Sequence, residues 1–256
     1  MLSKARLHFA LLLCLPFWGV SLHGQDFSDE ANIDYVLTRY VDSMGGRAAL
    51  QKLISMRLTG TISTPEGQLQ HLVVLKKKPN LVRLTLDAGN IRFVQAYNGK
   101  VAWTSRESGD RFDCVAMEET VAANFIREAP ITNALVDRNR PGVELEMGEE
   151  ITIVGIPCYQ IIVTLEDGSS TVHCISKETY LEHRIIQRDA EGNILSELVP
   201  SKFELVNGVT FAMRTQRIVE GKPTSTIDIE SVDVNLGLLN TAFNPPVALE
   251  SPSEEN

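Results

Sequence analysis

LQHLVVLKKKPNLVRLTLDAGNIRFVQAYNGKVAW, residues 69–103, is a chain of short apolar runs cut by turn signals. The turns are Lys78-Pro79-Asn80, Gly89-Asn90 and Asn98-Gly99, the last a strong two-residue hairpin signal. Val82, Leu84 and Leu86 alternate with Arg83 and Thr85. Ile91, Phe93, Gln95 and Tyr97 alternate with Arg92, Val94 and Ala96. Successive side chains of a strand point to opposite faces, so this is the pattern of consecutive antiparallel strands on a core. The first run differs. Leu69, Val73 and Leu75 point one way, and Leu72 and Val74 the other. A strand apolar on both faces is covered on both faces. A second layer does this, or an apolar ligand pocket on one side.

The same signals recur outward from that stretch. Arg57 to Ser63 ends at Thr64-Pro65-Glu66-Gly67. Gly109-Asp110 turns into Phe112, Cys114 and Ala116. From Val143 the strands resume, with Tyr159, Ile161, Val163 and Leu165 the cleanest alternation, and Asn207-Gly208 a second hairpin signal. Ten or eleven short strands result, with turns every eight to twelve residues, as in an all-β sandwich or barrel. Two segments read as helical. Ile33, Val36, Leu37, Tyr40, Val41 and Met44 share a helical face, with Ser28 or Asp29 as cap and Gly45-Gly46 as stop. Arg47 to Leu53 predicts a second short helix. Glu118 to Val136 predicts two more, divided at Pro130. They are either a crossover or part of a lid.

Residues 1–24 have the three parts of a secretory signal peptide: basic Lys4 and Arg6, an apolar run from Leu7 to Leu22, and small Ser21 and Gly24 near the cut. The run is shorter than the roughly twenty residues that span a bilayer. A soluble, periplasmic mature protein is expected, with a domain over 25–246 and a disordered acidic tail over 247–256. The formal net charge is −9, and loss of Lys4 and Arg6 takes it to −11. That balance argues against nucleic acid as a partner, because phosphates are contacted by Lys and Arg.

Chemical motifs are scarce. Three cysteines follow the signal, Cys114, Cys158 and Cys174, and are expected as buried thiols. A symmetric hairpin around Glu166-Asp167-Gly168-Ser169 sets Cys158 opposite Lys177 and turns Cys174 to the other face. His173, His183 and Cys158 could form a zinc site only without the close ligand spacing zinc motifs show. No G-x-S-x-G elbow occurs. Neither enzyme, cofactor nor metal is expected. Lys76-Lys77-Lys78 reads as a solvated strand end or as a contact for an acidic partner or lipid headgroup.

Lys77-Lys78-Pro79-Asn80-Leu81-Val82-Arg83 and Tyr97-Asn98-Gly99-Lys100-Val101-Ala102-Trp103 resemble motifs of the outer-membrane lipoprotein-sorting family, the periplasmic LolA/LolB-like carriers. Phe243-Asn244-Pro245-Pro246 resembles the family's closing Phe-x-Pro-Pro. Tyr40 to Leu53 and Val206-Asn207-Gly208-Val209 resemble a broader group of secreted relatives. The resemblance implies one antiparallel, strongly curved sheet, an incomplete β-barrel with short α-helices as a lid. It implies an apolar cavity for acyl chains, for which Val73, Leu75, Leu84, Phe93, Tyr97, Trp103, Phe125, Ile161 and Val163 are the candidate lining. Lys78, where the family more usually has arginine, takes the lid and release position. The implied function is a monomeric lipid or lipoprotein carrier, serving membrane-bound donor and acceptor proteins. The alternative is a sensor or adaptor on the same fold that binds a protein partner and transports nothing.

Overall fold

The computed structural model describes residues 32–246; the expected signal peptide and acidic tail lie outside the described residues. Fourteen strands form one antiparallel sheet that does not close into a barrel. The first half is a meander of β1 (Ser55–Ser63), β2 (Leu69–Lys77), β3 (Leu81–Ala88), β4 (Ile91–Tyr97), β5 (Ala102–Ser108) and β6 (Arg111–Ala116). The second holds β7 (Val143–Met147), β8 (Ile151–Ile153), β9 (Ile156–Leu165), β10 (Ser170–Ser176), β11 (Glu182–Arg188), β12 (Ile194–Val206), β13 (Val209–Val219) and β14 (Lys222–Val234). β1 pairs with β14 from Met56↔Val234 to Ser63↔Thr226 and joins the halves. The sheet edges are β6 and β7, which are consecutive in the chain. Residues 117–142 therefore run from one edge to the other.

Each face of the sheet has its own cover. The inner face of the second half packs against α1 (Ile33–Ser43) and α2 (Arg47–Lys52). Val36, Leu37, Tyr40 and Val41 lie at helical spacing and are buried against Ile161, Val163, Ile175 and Val209. Asn32 caps α1 by accepting from the Tyr35 N–H at 2.9 Å. The α1–α2 turn sits directly on the β12–β13 hairpin. A Cβ at Gly45, whose φ is +108°, would lie 1.9 Å from the Gly208 carbonyl oxygen. The Thr210 N–H donates to the Met44 carbonyl at 3.0 Å. The two segments that resemble the broader group thus touch one another.

The outer face of the first half is covered by the chain that leaves β14. There Phe243, in the 3-10 turn Asn240–Phe243, is fully buried. The indole N–H of buried Trp103 donates to the Phe243 carbonyl at 2.9 Å, and Arg83 donates to the Ala242 carbonyl at 2.9 Å. The Asn98 amide donates to Asn244 at 3.1 Å. The family-like turn and the family-like closure are again in contact.

Several expectations change. The strands among the described residues number fourteen rather than ten or eleven. Only one helix, α3 (Glu119–Arg127), forms in the Glu118 to Val136 segment. Beyond Pro130, the Asn133 side chain accepts from the Val136 N–H at 3.3 Å and donates to Tyr40 Oη at 2.8 Å, which holds a turn instead. Asn98-Gly99 begins a four-residue loop, since Tyr97 pairs with Ala102 and Asn98 Oδ1 takes the Lys100 and Val101 N–H groups. The β9–β10 loop has three residues, Glu166-Asp167-Gly168, with Leu165 bonded to Ser169. Cys158 then pairs with Ser176, and Cys158 and Cys174 share the outer face. All three cysteines are free thiols, Cys114 only half-buried.

The outer strap predicts a specific cost. Phe243→Ala removes a fully buried ring and should lower unfolding free energy by about 3–5 kcal/mol in chemical denaturation. A loss below about 1 kcal/mol would show that the strap is not part of the core.

Candidate functional site

The alternation of strand side chains assigns each candidate to a face. Val82, Leu84 and Leu86 share a face with Val74 of β2, with Phe93 and Tyr97 of β4, and with Leu58 of β1. Met56 lies on that face opposite Val234, which packs on the α1 core, so it is the inner face. Across the β1–β14 joint the face continues through Val232, Ile229 and Ile227 to Met213, Leu198 and Ile185. Eight adjacent strands, β4 to β11 in sheet order, thus carry one apolar band. Most of it is half-buried: Leu58, Val74, Leu84, Leu86, Phe93, Ile185, Leu198, Ile227 and Ile229. None of these belongs to the core under α1. The inner face is therefore filled at the β7–β10 end and still partly open across the band.

The candidate lining divides accordingly. Leu84, Phe93 and Tyr97 lie on the band's face. Ile161 and Val163 are on the same face but buried beneath α1 and the connector. Phe125 is half-buried on α3. Val73, Leu75 and Trp103 are on the outer face, with Arg83 and Ala96, under or beside the C-terminal strap. They cannot line a pocket with Leu84, because an odd number of residues separates them in register. Ile227, Ile229 and Leu198 were overlooked, although the alternation in β14 was a usable signal.

The three consecutive lysines are not a solvated strand end. Lys76 Nζ, on the inner face, donates to the Glu128 carbonyl and to the Pro130 carbonyl at 3.1 Å. Burial pulls its pKa down, and the Glu128 carboxylate opposes that shift. Lys77, on the outer face, donates to the Leu238 carbonyl at 2.6 Å and to Asn240 at 2.8 Å. Lys78 donates to the Gln51 carbonyl at 3.1 Å and to that of Leu50 at 3.4 Å, at the end of α2. Three neighbouring ammonium groups thus fasten three covers: the connector, the strap and α2.

The two halves of the connector are held differently: Ala134 and Leu135 are buried in the core under α1, while the first half rests on side-chain ties. α3 has no buried residue. Its last turn is tied by Arg127 to Asp167 in the β9–β10 loop. Hydrogen bonds from Ser169 and Arg127 hold the Asp167 carboxyl at about 2, below the usual 3.8. Further on, Asn133 joins a buried polar group. His173 Nδ1 and Glu182 Oε1 are 2.7 Å apart, and Asn133 reaches Glu182 at 3.4 Å as well as Tyr40. Burial, then the Glu182 carboxylate, push the Tyr40 phenol well above its ordinary value. His173 faces inward and Cys158 outward, so the conceivable zinc set does not converge. Among the described residues no three His, Cys, Asp or Glu side chains are placed to hold a metal ion. No helix among them is long and apolar enough to cross a membrane.

No family model matches the chain, and no curated protein matches it by sequence. Solved structures match its fold. A LolA superfamily protein from Nitrosomonas europaea has TM-score 0.57 at 12% identity, over 84% of this chain and 98% of that one. A DUF1329 family protein from Desulfovibrio piger has TM-score 0.57 at 13% identity, over 83% and 97%. An outer membrane lipoprotein-sorting protein domain from Vibrio parahaemolyticus has TM-score 0.55 at 9% identity, over 83% and 96%.

Two predictions concern the connector. Lys76→Met leaves two carbonyls without their donor, so it should cost about 1–3 kcal/mol and speed amide exchange across residues 119–136. Unchanged exchange there would exclude the clamp. The Arg127–Asp167 tie should be intact at neutral pH and be lost as pH falls from about 4 through about 2. Asp167→Asn should loosen α3 at neutral pH in the same exchange experiment and remove that acid dependence.

Proposed function

From the LolA-like fold of this chain, we propose that it is a periplasmic, non-enzymatic carrier that holds acyl chains of a lipid or lipoprotein on its inner face. The observation that carries the reading is the half-buried apolar band across eight strands, beside a connector helix with no buried residue. An acyl chain gains about 0.8 kcal/mol for each methylene that leaves water, and it asks no polar partner of its site. Gln95, Thr215 and Arg217 share the face with these apolar residues, opposite Leu84, Ile227 and Leu198. Leu84 and Phe93 of the expected lining stay in this site, and Leu58, Leu86, Ile227 and Ile229 join them. Phe125, on α3, would close over the chain.

In this reading the connector is the lid. Lys76 grips it by two carbonyls, while Lys78 grips α2. Lid control therefore passes from Lys78 to Lys76, two residues earlier and on the inner face. The rival reading, an adaptor that binds a protein, draws on the filled inner face under α1, where Ile161 and Val163 leave no space.

Native mass spectrometry of the protein purified from its own periplasm separates the two. The carrier reading predicts acyl-bearing adducts, lost in a Leu84→Gln, Ile227→Gln double variant that still folds. A clean apo mass, with no uptake of a fluorescent fatty acid, would support the adaptor instead.

A further inference from the structure

A cavity of about 390 Å³ lies apart from the apolar band, between the starts of α1 and α2, residues 136–139 and β7. Its volume lies in the range of roughly 300–1,000 Å³ in which small-molecule sites fall. Ile33, Leu37, Val136, Val143 and Leu145 form its apolar floor. Arg47, Asp137, Arg138 and Asn139 form its rim. Two stretches far apart in sequence, residues 33–47 and 136–145, supply these residues.

The rim charges are not equivalent. Arg138 is engaged by Asp34. Among the described residues, neither Arg47 nor Asp137 forms an ion pair, with the other or with any other side chain. Asp137 makes only backbone hydrogen bonds, to Asn133 and Arg140. A free guanidinium and a free carboxylate thus line one cavity without meeting across it.

We infer that this cavity binds a small zwitterion with an apolar body. Arg47 takes the oxyanion, whose geometry fits the guanidinium fork. Asp137 takes the ammonium, which has only donors to offer. The apolar body lies on Ile33, Val143 and Leu145. A simple anion would meet the like charge of Asp137, and a simple cation that of Arg47. A ligand with both charges pairs with both groups at once. An apolar amino acid and the ethanolamine phosphate headgroup of a lipid share this chemistry. The site does not depend on the acyl-carrier reading, because its residues lie outside the band.

Isothermal titration of the full chain with L-leucine and with dihexanoyl phosphatidylethanolamine tests it and tells the two sources apart. At least one should bind. For leucine, the analogues 4-methylpentanoate and 3-methylbutylamine each lack one charge and should bind about tenfold or more weakly. Arg47→Gln should weaken the zwitterion about tenfold, and Arg47→Lys less, since the charge remains without the fork. Asp137→Asn should abolish the preference for the zwitterion over its anion-only analogue. Both positions are exposed, so unchanged melting curves establish that the variants fold. Failure of both zwitterions to bind, equal binding of the single-charge analogues, or unchanged affinity in both variants would overturn the inference.

Discussion

The pairing of the first strand with the last is the constraint on which the architecture depends. It sets two meanders side by side and leaves β6 and β7 as edges that do not meet. A bulge between Thr59 and Gly60 lies at this joint. A Cβ at Gly60 would stand 2.0 Å from the Asp228 carbonyl oxygen, so the backbones approach more closely than any side chain allows. Because β6 and β7 are the two edges of the sheet and consecutive in the chain, the segment joining them must run from one edge to the other. The connector's course follows from strand order, and packing fixes its second half: Ala134 and Leu135 are buried in the core under α1, while α3 buries no residue.

A sheet apolar on both faces needs covers on both. α1 fills one end of the inner face, and the strap ending in Phe243 closes the outer face of the other half. Lys76, Lys77 and Lys78 hold the connector, the strap and α2 through carbonyl oxygens. α3 alone among the covers buries no residue, so this part of the connector can move without dismantling a core. Burial lowers the pKa of Lys76, and two carbonyl oxygens accept from its ammonium.

Much of this was legible in the chain, and what was not has identifiable causes. The alternation in Val82–Leu86 and Ile91–Tyr97 located β3 and β4, and Asn207-Gly208 forms the two-residue hairpin it signals. Registers were less legible, because loop length depends on side-chain bonds such as those of Asn98, which composition does not reveal. The candidate lining mixed faces for a related reason. Val73 and Leu84 are both apolar, and only the pairing of β2 with β3 shows that they point apart. The lysine run was legible as a charge cluster but not as three clamps, since alternation sends adjacent lysines to different covers. The resemblance placed its motifs at the joints where sheet and covers meet, at Asn98 with Asn244 and Gly45 with Gly208.

The central claim is that the apolar band of the inner face, beneath the connector, is the ligand surface. Photo-crosslinking with a diazirine-bearing fatty acid, followed by peptide mapping, tests it most directly. The account predicts labels on Leu84, Leu86, Phe93, Ile227 and α3, with few on the strap or on Val73 and Leu75. Labels concentrated on the outer face, or spread evenly over the surface, would contradict it.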